Sequence, residues 1–316
     1  MNTKIITIAN PTRYVGKTTS TAAIGDILAR KMNKRVLVID TTSPGDLSCK
    51  FGCSPNNHAN LTLDILLSEA LISQEEQQVD DLDLTPFIYK GIMYQKKENV
   101  FTLKKASKYE HLSIICSSPE LNFVYNLMDY DDNSIITNLL EHLKNCNEFD
   151  YILIDTPPSY TLRNIRDHFI AGSDYLLIPL VPSKNSLAGV ERLVNSFVRI
   201  SKHSKIQKGN SLQLLGLFFC NVSCKDDVDI DSYVMDNIAV DKSSFFRTSI
   251  PQSTDIINYG NVDAPLTVLF PDSSASSKYV SLVEEMLSRI DNKENTTWSI
   301  CPKFPLACNP TTFRRR

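Results

Sequence analysis

The strongest constraint on the fold is a loop near the amino terminus that carries Gly16, Lys17 and Thr18. A β-branched run, residues 5–9, precedes the loop, and apolar residues recur after it at the spacing of a helix face. Backbone N–H groups in such a loop, with the positive end of the following helix, favour a bound anion. This pattern predicts a phosphate-binding loop in which Lys17 reaches the β- and γ-phosphates of a nucleoside triphosphate and Thr18 supplies a hydroxyl to Mg²⁺.

The loop does not satisfy the full phosphate-loop pattern. Pro11 stands where a glycine is expected, and Arg13 and Tyr14 fill positions that glycine often holds. A solvated turn before a helix is therefore the alternative interpretation, and other parts of the chain must decide between the two.

Two further apolar runs, residues 35–40 and 149–155, each end in a carboxylate, Asp40 and Asp155. Continuous apolar runs are typical of buried parallel strands, and ligands lie beyond the carboxyl ends of such strands. We therefore expect Asp40 and Asp155 to lie at the same edge as the loop and to hold Mg²⁺ directly or through water. The alternative for each is a helix cap or turn residue.

Composition agrees with a single large α/β domain. The chain has 316 residues, 42% of them hydrophobic, and a net charge of −3, which argues against a uniformly basic nucleic-acid binder. Neither a leader nor an apolar run of the ~18 residues that a membrane span needs is evident, so we expect a cytoplasmic protein without membrane association. The eight cysteines are expected to be reduced thiols.

Two segments depart from the βα pattern. Residues 74–108 change from acidic to lysine-rich and are interpreted as a charged insertion, either a solvated face or a partner surface. Residues 292–316 are polar and contain proline, and we expect a disordered tail after a domain that spans 1–291.

The chain resembles the ParA/MinD family of deviant Walker ATPases from Lys4 to about Arg289. Blocks in the same order carry the resemblance: the loop at Lys17, residues 36–47, residues 111–121, Ile154-Asp155-Thr156-Pro157-Pro158-Ser159, residues 177–189, residues 246–251 and 259–265, and residues 270–279. The resemblance implies a doubly wound, mostly parallel sheet with helices on both faces, a P-loop NTPase of the SIMIBI type.

The resemblance also implies a function. Members use ATP and Mg²⁺, dimerise with nucleotide, hydrolyse it weakly, and act in plasmid or chromosome partition or in cargo positioning. The implied partners are a second copy of the chain, non-specific DNA and a ParB-like or cargo adaptor protein, with nucleoid association through the DNA. The implied nucleotide contacts are Tyr14, Val15, Gly16, Lys17, Thr18, Thr19, Asn221 and Pro251. Asn221 ends a strand, where an amide can pair with adenine.

Two positions depart from the family. Its signature lysine falls at Thr12, and the second acidic residue of its first switch falls at Thr42. Arg13 is the nearest cation that can stabilise charge in phosphoryl transfer, so we place it with Lys17, Asp40 and Asp155 in the catalytic set; the alternative is an exposed loop residue. A nucleotide-bound scaffold without turnover and a metal-cluster carrier ATPase stay open as other functions.

Overall fold

A computed structural model describes residues 3–53, 61–75, 83–90, 94–97, 100–103, 111–128, 134–158, 163–208, 212–223, 242–254 and 264–291. Its strands are β1 (Lys4–Ile8), β2 (Val36–Asp40), β3 (Tyr89–Lys90), β4 (Tyr94–Lys97), β5 (Val100–Leu103), β6 (Leu112–Ile115), β7 (Tyr151–Asp155), β8 (Tyr175–Leu180) and β9 (Gln213–Phe219). Its α-helices are α1 (Lys17–Asp26), α2 (Asp46–Lys50), α3 (Leu63–Glu75), α4 (Leu121–Leu127), α5 (Ser134–Asn145), α6 (Arg163–Ala171), α7 (Lys184–Lys208), α8 (Leu266–Leu269) and α9 (Ser274–Asp291).

Seven strands form the central sheet in the order β3-β6-β2-β7-β1-β8-β9, and β4 pairs with β5 separately. All neighbours in the central sheet run parallel except β3, which pairs antiparallel with β6. Strands β2 and β7 are buried along their whole length, as their continuous apolar sequences predict. The order places β1, and the loop that follows it, between β7 and β8.

Helices cover both faces of the sheet, because successive strand residues point to opposite sides. Ile6, Val38 and Leu153 pack on one side with residues of α1, α2 and α9. Ile5, Leu37 and Ile152 pack on the other side with residues of α3, α4, α5 and α6. Helix α7 packs on β8 and β9 at the end of the sheet. The doubly wound, mostly parallel α/β fold is confirmed.

The segment interpreted as an insertion is partly integrated into the domain. Leu84 and Phe87 are buried in the same core as α3, and Tyr89–Lys90 forms the edge strand β3. The structure also describes the end of α3, a 3-10 helix at Thr85–Phe87, β4 and β5 within 74–108. Helix α3 begins at Leu63 and continues to Glu75, so its end lies within the segment interpreted as an insertion. The predicted tail, residues 292–316, lies outside the described residues.

Among the described helices, none is both long enough and apolar enough to cross a membrane. The described cysteines, Cys49, Cys53, Cys116, Cys146 and Cys220, are free thiols.

Candidate nucleotide-binding site

The carboxyl ends of three adjacent strands bring the predicted residues to one edge of the sheet. Asp155 of β7 pairs in register with Ile8 of β1 on one side and with Asp40 of β2 on the other. The loop that ends at Gly16 follows β1 directly and leads into α1. Asp40, Asp155 and the loop therefore lie together, as the sequence predicts.

The loop has the backbone geometry of an anion site. Gly16 precedes α1 with φ at +88° and caps the helix without a side-chain hydrogen bond. A Cβ atom at Gly16 would lie 3.2 Å from the Cys220 Sγ atom, so the position suits glycine both for its φ angle and for space. The N–H groups that begin α1 have no side-chain cap, and the positive end of the helix adds its partial charge. This end of α1 can hold a phosphate group.

Lys17 is buried in the first turn of α1, with 6% of its surface exposed. Its Nζ atom donates a hydrogen bond to the Thr12 carbonyl oxygen at 2.9 Å, so the side chain folds back over the loop. Burial lowers the pKa of Lys17; the charge of Asp155 opposes that shift, while the charges of Arg166 and Arg13 add to it. An anion between these cations would relieve both the desolvation and the repulsion.

Thr18 and Asp155 place two oxygen ligands of a candidate Mg²⁺ site close together. The Thr18 hydroxyl donates to Asp155 Oδ2 at 2.6 Å, and the Thr21 hydroxyl approaches Oδ1 at 3.5 Å. Asp155 is fully buried, and burial, followed by the nearby charge of Asp40, raises the pKa of its carboxyl group. A hydroxyl and a buried carboxylate, whose charge Lys17 compensates only in part, are oxygen ligands that suit Mg²⁺. The donor set therefore fits the metal expected from the sequence.

Asp40 binds its own chain with both carboxylate oxygens. Oδ1 accepts hydrogen bonds from the Thr42 backbone N–H at 2.9 Å and from its hydroxyl at 2.7 Å. Oδ2 accepts from the Ser48 backbone N–H and hydroxyl, both at 2.7 Å. Burial raises the pKa of Asp40, and these hydrogen bonds counter the shift. Asp40 thus fixes the loop between β2 and α2, and its role as a metal ligand stays a prediction.

Thr12 contacts a helix of its own chain. Its backbone N–H donates to Asn10 Oδ1 at 2.8 Å, and its hydroxyl donates to the Asn185 carbonyl oxygen in the first turn of α7 at 3.3 Å. A Cβ atom at Gly189, one turn further along α7, would lie 2.5 Å from the Thr12 hydroxyl oxygen. The loop is therefore seated tightly against the start of α7.

The neighbours of Thr12 in the loop differ in exposure. Arg13 and Tyr14 are exposed, Tyr14 with 93% of its surface accessible and φ at +60°. Val15 is fully buried, and Thr19 is half-buried. Val15 therefore anchors the loop in the core, whereas Arg13 and Tyr14 are available to a partner.

Asn221 and Pro251 lie on neighbouring chain segments beside the loop. Val222 forms an isolated bridge with Pro251, and its N–H donates to the Ile250 carbonyl oxygen at 3.2 Å. Asn221 is exposed and has φ at +56°, a left-handed conformation that asparagine tolerates. Cys220, the preceding residue, is the one that approaches Gly16. The structure thus brings Asn221 and Pro251 onto neighbouring segments, and the residue before Asn221 lies against the phosphate loop.

One charged residue near the site was missed by the sequence interpretation. Arg166 of α6 is buried, and its charge reaches Lys17. The sequence did contain a signal for its burial. Ile165 and Phe169 of α6 pack in the core, and Arg166 follows Ile165 directly.

Comparison with known proteins places the chain among related sequences. A family model described as an AAA domain matches residues 3–209. The sporulation initiation inhibitor protein Soj of Bacillus subtilis is 25% identical over 291 residues, which cover 90% of this chain and 98% of Soj. A ParA family protein of Chlamydia muridarum is 25% identical over 275 residues, which cover 86% of this chain and 92% of that protein.

Solved structures share the fold. A Cyanothece McdA variant in complex with ATP superposes with a TM-score of 0.65 at 20% identity, covering 91% of this chain and 97% of that chain. The septum site-determining protein MinD of Pyrococcus horikoshii, complexed with Mg-ADP, superposes with a TM-score of 0.63 at 20% identity, covering 91% of this chain and 98% of that chain.

Proposed function

The chain belongs to the AAA-domain family of P-loop ATPases that includes ParA and MinD proteins, and on this premise we propose that it is an ATP- and Mg²⁺-dependent dimerisation switch with weak ATPase activity. The switch acts in plasmid or chromosome partition or in cargo positioning. The observation that carries the proposal is the Thr18 to Asp155 hydrogen bond beside the buried ammonium group of Lys17.

Bound nucleotide would correct the electrostatic imbalance of the site. Lys17 is desolvated, and the carboxylate of Asp155 lies next to the carboxylate of Asp40. Mg²⁺ at Thr18 and Asp155 would compensate the two carboxylates, and the phosphates would compensate Lys17 and the amino-terminal end of α1. The MinD and McdA structures contain Mg-ADP and ATP, respectively, which supports the same ligands here. When bound, Mg²⁺ would supply charge neutralisation at the phosphates.

We expect ATP, and not ADP, to convert monomer to dimer. Arg13 and Tyr14 project from the loop with their side chains exposed, so they can reach a second copy of the chain across a shared nucleotide site. Arg13 would then supply to the partner's phosphates the cation that Thr12 lacks.

Light scattering with and without nucleotide tests the dimer. The expected result is a doubling of mass with Mg-ATP alone, and its loss in Lys17→Ala. The same mass with no nucleotide, with ADP and with ATP would contradict the switch.

The proposed cargo interaction is with non-specific DNA and a ParB-like or adaptor protein. Binding to DNA by the dimer should tolerate changes of sequence and fall steeply with salt, because phosphate contacts release counterions. Salt-independent binding to one sequence would contradict this part of the proposal. A cytoplasmic location with nucleoid association stays a prediction.

A nucleotide-bound scaffold without turnover is the second candidate function. The Thr42 hydroxyl donates to Asp40 and the Thr12 hydroxyl donates to α7, so both hydroxyl protons are used within the chain. Release of inorganic phosphate from Mg-ATP, measured with DNA and with a ParB-like or adaptor protein, separates the two functions. Turnover above that of Asp155→Ala supports the switch, and no release from the wild type under any condition supports the scaffold.

A further inference from the structure

Arg166 is a buried cation in the first turn of α6 with an unused hydrogen-bond donor. Only 2% of its surface is exposed, and its Nη1 atom has no hydrogen-bond partner among the residues that the structure describes. Most buried polar side-chain atoms in proteins do have one. The feature therefore calls for a physical explanation.

Asp167 holds one side of the guanidinium group. Its Oδ1 atom accepts hydrogen bonds from Arg166 Nε at 3.2 Å and from Nη2 at 2.9 Å. Its Oδ2 atom accepts from Arg199 Nη2 at 3.4 Å. The guanidinium is thus fixed through Nε and Nη2, and Nη1 is the atom left for a ligand.

Structural stability alone does not account for Arg166. A cation in the first turn of a helix is repelled by the helix dipole, and a buried charge costs free energy unless it is well paired. Asp167 is shared with Arg199, so the three side chains together carry one positive charge in excess. An anion near Nη1 would remove both penalties.

The position of Arg166 identifies which anion could do so. Helix α6 is the next described element after β7, whose last residue is Asp155, and its amino-terminal turn therefore lies at the edge of the sheet that carries the phosphate loop. The charge of Arg166 acts on the ammonium group of Lys17, ahead of that of Arg13. A phosphate chain bound at Lys17 would therefore experience the charge of both cations.

We propose that Arg166 is a phosphate ligand supplied by the same chain, which donates a charge-assisted hydrogen bond from Nη1 to the terminal phosphate of a bound nucleoside triphosphate while Asp167 positions the guanidinium. This inference rests on the proposed nucleotide site at Lys17. It assigns to α6 part of the positive charge that a lysine at the position of Thr12 would provide. Guanidinium groups suit phosphate because their planar donors match its oxygens.

The test compares Arg166→Gln with Arg166→Lys and with the control Arg199→Gln. Glutamine at position 166 keeps a hydrogen-bond donor for Asp167 and removes the charge, whereas lysine restores the charge. Arg199→Gln removes the second arginine that contacts Asp167. Calorimetry with Mg-ATP and Mg-ADP gives affinities, and thermal unfolding with and without Mg-ATP gives the shift in Tm. A variant Arg166→Gln/Asp167→Asn, which neutralises the pair, replaces Arg166→Gln if that protein does not fold.

The expected result is a loss of Mg-ATP affinity of roughly tenfold to a hundredfold in Arg166→Gln, the range of one charge-assisted hydrogen bond. Mg-ADP affinity should change less, Arg166→Lys should recover part of the loss, and Arg199→Gln should bind as the wild type does. Without nucleotide, Arg166→Gln should lower Tm, because the buried carboxylate of Asp167 then keeps only the longer contact with the exposed Arg199. The increase in Tm that Mg-ATP produces should be smaller in this variant than in the wild type.

The two proposals fail in different ways. If the wild type binds Mg-ATP and Arg166→Gln binds both nucleotides equally well, the assignment of Arg166 is overturned and the nucleotide site stands. A lower Tm without nucleotide together with an unchanged ratio of ATP to ADP affinity would overturn it too, by showing a structural role. If the wild type does not bind Mg-ATP, the nucleotide site itself is refuted.

Discussion

Replacement of Gly189 by alanine tests whether α7 holds the phosphate loop in place. The added Cβ atom would lie 2.5 Å from the Thr12 hydroxyl oxygen and 3.1 Å from Asn10 Oδ1, so Thr12 must give up its hydrogen bond to Asn185 or the loop must shift. Overpacking of this kind costs about 1–3 kcal/mol. Alanine in place of a helical glycine recovers about 1 kcal/mol. The free energy of unfolding should therefore fall by roughly 0–2 kcal/mol.

Gly189→Ala should also lower the affinity for Mg-ATP, and this effect is the one that tests the role of α7. Lys17 Nζ donates to the Thr12 carbonyl oxygen, so a displaced Thr12 also displaces the ammonium group. Partial loss of one charge-assisted contact predicts a decrease in Mg-ATP affinity of roughly tenfold. Calorimetry measures the affinity, and denaturant unfolding measures the stability.

Gly172→Ala is the matched control. A Cβ atom there would lie 2.6 Å from Leu140 Cδ1, a comparable clash in the core beyond the end of α6. This variant should change stability and leave Mg-ATP affinity at the wild-type value. Wild-type affinity in Gly189→Ala as well would refute the reasoning, because it would show that contact with α7 does not set the position of the loop.

The remaining predictions concern four residues of the site. Asp155→Asn should remove Mg²⁺-dependent turnover. It should also stabilise the nucleotide-free protein by an amount that grows between pH 3.8 and about 8, because burial raises the pKa of Asp155 to about 8 in the native state and ionisation of this carboxyl group therefore destabilises the wild type over that range. A difference in unfolding free energy that does not change with pH would contradict this. Arg13→Ala should lower kcat by at least roughly tenfold with little change in ATP affinity, and equal kcat would leave Arg13 as an exposed loop residue. Thr12→Lys should raise turnover if its side chain can leave the contact with α7, and steady-state kinetics decides. Asn221→Ala should reduce the preference for ATP over GTP by roughly tenfold in competition binding, and an unchanged preference would remove Asn221 from the base site.

The strand ends were predictable because their signal is local. Five-residue apolar runs that end in aspartate specify buried parallel strands, and the rules of open α/β sheets then bring Asp40 and Asp155 to one edge. Gly16 was predictable for the same reason, since the loop that leads into α1 requires its positive φ angle. The sheet and the loop thus follow from short stretches of sequence.

The direction of individual side chains could not be predicted, because it depends on residues far along the chain. Asp40 accepts hydrogen bonds from Ser48 of α2, a helix that the sequence did not indicate. Thr12 contacts α7, which lies more than 170 residues away in the chain. The core role of Leu84 and Phe87 was hidden by the charged residues around them. In each case a tertiary contact, and not a local propensity, decides the outcome.

The most direct test of the central claim is calorimetric titration of Mg-ATP into the wild type, Lys17→Ala and Lys31→Ala. Lys31 is an exposed lysine near the far end of the same helical segment, whereas Lys17 is buried at its start. The account predicts that the wild type and Lys31→Ala bind Mg-ATP with equal affinity and that Lys17→Ala, although folded, shows no binding. Unchanged affinity in Lys17→Ala would contradict the assignment of this loop as the nucleotide site.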